Sequence, residues 1–353
     1  MYPLAAMRLP LVSVGIVTWN SAAHVERCVQ AVRAQTHRPI ELLIADNASS
    51  DGTRGLLASL LQPGELTLLD RNTGFSGGHN LLVAASRGVY YLALNPDVVL
   101  HPEYVARLVE AADVDETIGS ATGKLLRVSD DPVLDSTGIV MLPSIRHLDR
   151  GAGEPDRGQH DREEDVFGAS GAAALYRRAA LDDVRIGEEW LDEDFFAYRE
   201  DADLAWRLQW RGWRCRYVPS ATAWHERRVT PERRAALPAE VNRWSVRNRF
   251  LLRLKNQSWR HALRFAAPTL WRDAQVIGYV LLREHASLPA LAEVARLLPR
   301  TLRKRHVIMR GRRATEQAIA AWFSQRDQAG AKPASRRNLR GRMGRPSGRR
   351  VRQ

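Results

Sequence analysis

Cysteine is almost missing from this chain, with only Cys28 and Cys215 among 353 residues. They are far apart and show neither CxxC nor zinc-ligand spacing, which excludes a disulfide scaffold and a zinc-finger fold. Cys28 falls in an apolar helical pattern and Cys215 in an expected strand, so both read as core thiols of a reducing compartment. No apolar run approaches the ~20 residues that a membrane-spanning helix needs. The longest one near the C-terminus, Ala274 to Leu282, is far too short. The N-terminus lacks the basic start and small-residue cleavage site of a secretory leader, so its apolar stretch is expected to form a first strand instead. No GxGxxG follows that strand, which argues against a dinucleotide fold of the NAD type. There is no internal repeat.

Acidic residues are also scarce, but only in one place. Residues 243–353 hold 27 Lys+Arg against 5 Asp+Glu, a net of +22. Residues 1–242 hold 26 against 35, a net of −9, and the two give the +13 of the whole chain. An acidic body with a basic C-terminal third suggests an anionic partner for that third. The rest of the composition is ordinary for a globular protein, with 44% hydrophobic and 26% charged residues in 39.7 kDa, enough for a full core. We expect a catalytic domain over 1–242, a basic amphipathic helical region over 243–330 and a disordered basic tail over 331–353. That tail has nine Lys/Arg, no acids and few apolar residues.

The first half alternates strands and helices. Leu11 to Trp19 is β-branched and almost wholly apolar, as a parallel strand covered on both faces should be. Asn20 or Ser21 can cap the helix that follows, whose apolar face carries Val25, Cys28, Val29 and Val32. Further strands are expected over Pro39 to Asn47, Leu66 to Asp70 and Val89 to Asp97. Helices are expected near Thr53 to Leu61, from the Gly-rich turn at Thr73 to Gly78 through Arg87, and after Pro102. This βαβαβ rhythm implies an α/β fold, an open sheet with helices on both faces. From Ala121 to Asp165 the pattern loosens into short strands and a polar loop. A helix returns over Asp201 to Arg211, and one or two strands over Trp213 to His225.

In open α/β sheets ligands sit at the carboxyl ends of the strands. The first strand ends in Thr18-Trp19-Asn20 and the second in Asp46-Asn47. A carboxylate there can accept from a ribose or a pyrimidine imide, or simply organise a turn. The fourth ends in Asn95-Pro96-Asp97, hard oxygen donors suited to Mg²⁺ or Mn²⁺ beside a diphosphate, although this tripeptide is also an ordinary turn. In Phe195 to Trp213, Glu200, Asp201 and Asp203 open a helix, where the dipole favours carboxylates. An i,i+4 ion pair with Arg207 on the helix surface accounts for Asp203. It does not account for Glu200-Asp201 against Phe195, Phe196 and Tyr198, an apolar surround that would tune a base. His225 closes a strand and is either a structural imidazole or a further metal ligand.

Taken in order, Asp46, Asn72-Thr73-Gly74-Phe75 with Asn80, Asn95-Pro96-Asp97, Gly171, Glu200-Asp201 and His225 resemble the family-2 glycosyltransferases with a GT-A fold. The likeness is greatest to their rhamnosyltransferase-like branch and covers about residues 11–255. Its most specific piece is FFAYREDADLAWR, then Gly212-Trp213 and the strand to His225. The resemblance implies a Rossmann-like mixed, mainly parallel sheet. It also implies an inverting, metal-dependent transfer of a sugar from a dTDP- or UDP-sugar, rhamnose first, to a glycan or polyprenyl-linked acceptor in cell-surface polysaccharide assembly. Asp46 would bind the base, with Thr18 and Asn20 lining the nucleotide pocket and Asn72, Gly74 and Asn80 shaping the sugar-nucleotide site. Asn95 and Asp97 stand where the family has its Asp-x-Asp motif. The first position is Asn here, so the metal would lean on Asp97 and His225. Asp201 would be the base, supported by Glu200, and Gly171 would lie on the acceptor side.

In the basic third, Arg247 to Asn256, Ala262 to Arg283 and Leu291 to Arg305 combine apolar faces with arginine. They read as helices packed on the catalytic domain with a solvated basic face. The sharper reading is an in-plane platform on an anionic membrane surface, which would make the protein cytoplasmic and peripheral on the inner face of the plasma membrane. Two rivals rank behind. A sugar-1-phosphate nucleotidyltransferase would show a Gly-rich signature with Arg and Lys after its first strand, and Thr18 to Ser21 supplies none. A nucleic-acid-binding protein would carry a reading motif, and here the basic residues are interleaved with Leu, Val and Trp.

Overall fold

The computed structural model describes residues 9–227 and 237–324. The first half runs β1 (Val12–Thr18), α1 (Val25–Arg33), β2 (Ile40–Asp46), α2 (Thr53–Leu60), β3 (Leu66–Leu68), α3 (Gly74–Ala85), β4 (Tyr90–Leu94), β5 (Val98–Leu100) and α4 (Tyr104–Asp113). Then come β6 (Ile118–Arg127), β7 (Leu134–Ser136), β8 (Ile139–Met141), β9 (His147–Asp149), β10 (Glu164–Val166), β11 (Ala173–Arg177), α5 (Arg178–Val184), α6 (Glu200–Arg211) and β12 (Arg214–His225). The basic third is helical: α7 (Ala239–Asn256), α8 (Trp259–Arg264), α9 (Ala266–Leu282), α10 (Pro289–Arg310) and α11 (Glu316–Trp322).

Ten strands form one sheet in the order β10-β12-β6-β11-β4-β1-β2-β3, with β5 on β12 and β7 on β6, and β8 pairs with β9 in a separate antiparallel ribbon. The pairs β4-β1, β1-β2, β2-β3 and β6-β12 are parallel, while β11 runs antiparallel between β4 and β6. All seven residues of β1 are buried, because the strand is covered on both sides. Alternation sends Val12, Val14 and Ile16 to the face under α1, α2 and α4, and Val17 to the face under α3, α5 and α6.

Two local expectations change. The helix α1 starts at Val25 after His24, and neither Asn20 nor Ser21 caps it. Asn20 is instead in the left-handed region, φ 51°, turning the chain out of β1. Asp203 and Arg207 do pair at 2.9 Å, but in the core rather than on the surface, since the apolar outer face of α6 is covered by the C-terminal helices.

That covering is intimate. One apolar cluster joins Trp206 and Trp210 of α6 to Leu251 and Leu252 of α7, Ile308 of α10 and Phe323. The basic side chains at this contact answer acids of the body. Lys255, 1% exposed, lies 2.5 Å from Asp192 and 2.7 Å from Asp203. Lys304 reaches Glu189 and Asp194, and Arg313 pairs with Asp183. Among the described residues no helix is long and apolar enough to cross a membrane. Residues 331–353 lie outside the described residues.

Candidate active site

The carboxyl ends of β1, β2 and β4 lie side by side, and their loops are tied together. Thr18 donates to Asp46 (3.0 Å), Ser50 N–H donates to Asn20 Oδ1 (2.9 Å), and Asn20 N–H donates to Ser49 (2.9 Å). Asp46 is completely buried, and its second oxygen accepts from Ser49 N–H and from Arg54 Nε (2.8 Å). Burial alone would raise this carboxyl, but the hydrogen bonds from Ser49, Arg54 and Thr18 hold it below the usual range. Thr18, Asn20 and Asp46 therefore form one hydrogen-bonded corner.

Asn47 connects that corner to the Gly-rich turn. Its amide donates to Gly74 O and accepts from Thr73 N–H and Oγ1, while Asn72 Oδ1 accepts Gly74 N–H. Gly74 has φ 76°, and a Cβ there would lie 2.4 Å from Phe196 O, so only glycine fits. Asn80 turns away from the open site. Its amide is saturated by Trp190 N–H, Leu191 N–H and O, and Glu193, so it clamps the 190–193 loop.

Strand pairing assembles the acidic centre. In the β5-β12 register His225 stands opposite Val98, which puts its Nε2 3.4 Å from Asp97 Oδ1. His225 Nδ1 faces Asp135 at 2.7 Å, fixing which nitrogen looks at Asp97. Burial would depress this imidazole, but Asp135 and Asp97 pull it up to about 9. A short run of alternating charge continues from Asp135 to Arg227 (3.4 Å) and on to Asp149 (2.5 Å).

The antiparallel β11 supplies the other side. Its approach brings Ala172 O to Asn95 N–H (2.9 Å), and the neighbouring Gly171 N–H donates to Asp201 Oδ2 (3.1 Å). Asp201, at the start of α6, also accepts Ala202 N–H. Its carboxyl is raised by burial and then by the charge of Asp149, with the two N–H donors and Arg227 pulling the other way. Glu200 is raised far more strongly, by burial and then by Asp201, and its Oε2 has no hydrogen-bond partner. Of this coupled pair Asp201 is raised less, because two N–H donors and the Arg227 guanidinium oppose its burial.

The loop entering α6 is strained. Phe196, Tyr198 and Arg199 all have positive φ (63°, 70° and 76°) without being glycine. Helix α7 holds it: Asn248 Nδ2 lies 2.8–2.9 Å from the carbonyls of Phe195, Ala197 and Tyr198, and Arg247 donates to Phe195 O. Trp244 packs its ring on Phe196 at 4.6 Å. Asp135, Asp149, Arg227, Trp244 and Asn248 were not singled out from the sequence, where they carry no motif. The one available signal was Asp135, a lone acid in the apolar run Val133 to Met141.

The donor set suits a hard divalent ion. Asp97 presents a partly exposed carboxylate, Asn95 lies two residues away, and the His225 nitrogen beside Asp97 would join as a ligand on giving up its proton. No group of three protein ligands occurs among the described residues, so diphosphate oxygens and water would complete the shell.

The family model for glycosyl transferase family 2 matches residues 13–185. The chain is 30% identical over 243 residues to an N-acetylglucosaminyl-diphospho-decaprenol L-rhamnosyltransferase of Mycobacterium tuberculosis, covering 62% of this chain and 76% of that protein. This chain belongs to glycosyl transferase family 2. It is a glycosyltransferase, and its mixed, mainly parallel sheet is the GT-A fold. Among solved structures it resembles S. aureus TarS in complex with UDP-GlcNAc, with TM-score 0.53, 16% identity and 88% and 89% of the two chains covered. It also resembles GalNAc-T7 with UDP, GalNAc and Mn²⁺, with TM-score 0.56, 14% identity, 70% of this chain and 48% of that one.

Proposed function

We propose that this transferase moves a sugar, with inversion, from a dTDP- or UDP-linked donor to a hydroxyl of a glycan or polyprenyl-linked acceptor in cell-surface polysaccharide assembly. The observation that carries the reading is the convergence of two unlike acidic centres on one turn. Asp97, two residues beyond Asn95, meets His225, while Asn95 N–H bonds Ala172 O beside Gly171, whose N–H holds Asp201. The likeness to the mycobacterial L-rhamnosyltransferase supports a polyprenyl-diphosphate-linked acceptor and rhamnose as the first sugar to try.

Asp201 is the base. It takes the proton of the acceptor hydroxyl as that oxygen attacks the anomeric carbon, and the bond to the diphosphate breaks with its electron pair leaving on the diphosphate. One displacement inverts the centre. Glu200, its carboxyl raised by burial and by the charge of Asp201, supports it from the preceding position. Mg²⁺ or Mn²⁺ held by Asp97 and His225 would neutralise the departing diphosphate. Thr18, Asn20 and Asp46 form the nucleotide end, with Asp46 yielding its contact to the half-exposed Arg54 when a base arrives. Asn72, Gly74 and Asn95 line the way to the sugar, and Asn80 keeps that wall in place.

The test is transfer from dTDP-rhamnose, UDP-GlcNAc and UDP-galactose to a polyprenyl-diphospho-N-acetylglucosamine, with product mass and anomeric configuration read directly. Asp201→Asn is expected to lower kcat by about 10²–10⁴-fold while donor binding persists. Retained configuration, or full turnover by the variant, would overturn the proposal.

A further inference from the structure

The helix α9 is built inside out. At helical spacing, positions 267, 270, 271, 274, 278, 281 and 282 share one side, and that side faces solvent rather than the protein. It carries Leu270, Trp271, Leu281 and Leu282, 52–76% exposed, with only Ala267, Ala274 and Gly278 between them. The one acid of the helix, Asp273, is turned inward and taken by Arg249 and Arg253 of α7. The preceding α8 extends the stripe with Trp259 (61%) and Leu263 (69%). Soluble helices place their apolar stripe against the core, so a stripe of this size left outward marks a docking surface.

The charges beside the stripe define what docks. Arg260, Arg264 and Arg283 are exposed along it, and between Trp259 and Arg283 no acid other than Asp273 occurs. Arg260 and Arg264 also line an open cavity between α8 and α11, shared with His261 and Glu316. That acid is already engaged by Ser258 and Arg312. A symmetric contact with a second copy would set these arginines against their own images with no free acid to answer them. The chain's own 331–353 segment is equally basic and almost without apolar residues, so it does not complement the stripe.

We propose that the outward face of α8 and α9 docks on an anionic lipid surface. The two tryptophans and the leucines enter the headgroup boundary, and the arginines meet phosphate there. Of the three basic segments noted in the sequence, this one presents the two exposed tryptophans, while α10 adds exposed Arg296, Arg303 and Arg310. Helix α7 is largely buried, and several basic residues of α10 serve internal ion pairs. The transferase would thus work beside an acceptor that is itself held in the membrane.

The test is co-sedimentation of the full chain with vesicles of phosphatidylcholine alone and of phosphatidylcholine with phosphatidylglycerol in equal parts, at physiological and high salt. Wild type is expected to bind the anionic vesicles and to retain part of that binding at high salt through its apolar contacts. The double variant Leu270→Glu/Trp271→Glu, both positions exposed and so expected to leave the melting curve intact, should lose at least about tenfold in partition. Arg260→Gln/Arg264→Gln should lose about fivefold per arginine on anionic vesicles at physiological salt only. Wild-type partition by a folded glutamate variant would overturn the proposal. So would a wild type that ignores vesicles but forms a concentration-dependent dimer abolished by the same substitutions.

Discussion

Replacing Asn248 by alanine separates holding the catalytic loop from holding the fold. One side-chain amide has two hydrogens, yet three loop carbonyls crowd it at 2.8–2.9 Å, so at most two are fully served and the third shares. Losing two net hydrogen bonds and leaving buried carbonyls short of partners costs about 2–4 kcal/mol. Relaxation would return part of this, because Phe196, Tyr198 and Arg199 each store about 1–3 kcal/mol of backbone strain. We therefore expect the low end, about 2 kcal/mol, and a melting temperature lower by about 4–8 °C. Relaxation also moves Asp201, two residues after Arg199. The kcat should fall at least about tenfold, as small misplacements of a catalytic group do. The KM for the donor should hardly change, because Asp97 and His225 are held by other strands. A matched control is Ile308→Ala, a core truncation in α10 that costs about 2–5 kcal/mol without touching the loop. Steady-state kinetics and thermal melts on the three proteins decide. If Asn248→Ala melts earlier but turns over like wild type, the loop does not depend on α7 and the reasoning fails.

Two further predictions concern the charged centres. Asp97→Ala should abolish any Mn²⁺-dependent rise in melting temperature on adding UDP or dTDP; a rise of wild-type size would place the ion elsewhere. Lys255→Met should destabilise the fold by about 3–5 kcal/mol in denaturant titration, since it leaves Asp192 and Asp203 buried with fewer cations. Burial would raise Asp192, but Lys255 and Lys304 hold it well below the usual carboxylate range. A depressed carboxyl stabilises the fold fully above its unfolded value near ~4, and that contribution is lost progressively as pH falls from there through the lower folded value. Wild-type melting temperature should therefore decline from about pH 5 downward, and that slope should flatten in the variant.

What could be read along the chain was whatever obeys a local rule. The apolar β1, the helix after Pro102 and the acid-rich start of α6 follow from periodicity, proline geometry and the helix dipole. Strand ends bearing polar residues pointed to Thr18, Asp46 and Asn95-Pro96-Asp97, because loops at those ends are where an open sheet leaves room for ligands. The motif order was enough for the family. Pairing between distant segments was not legible. That β11 runs backwards beside β4 decides that Ala172 meets Asn95 while the neighbouring Gly171 meets Asp201. The register of β5 on β12 decides that His225 faces Asp97 and that Asp135 stands behind it. Charge counting suggested that the basic third looks outward for an anion. The fold instead turns Lys255, Lys304 and Arg313 onto acids of the body and leaves exposed, among others, Arg260, Arg264 and Arg283. Local preference is set by neighbours a few residues away and is therefore written in the sequence. Which face is buried, and which charges meet, depends on surfaces that exist only once the chain has closed on itself.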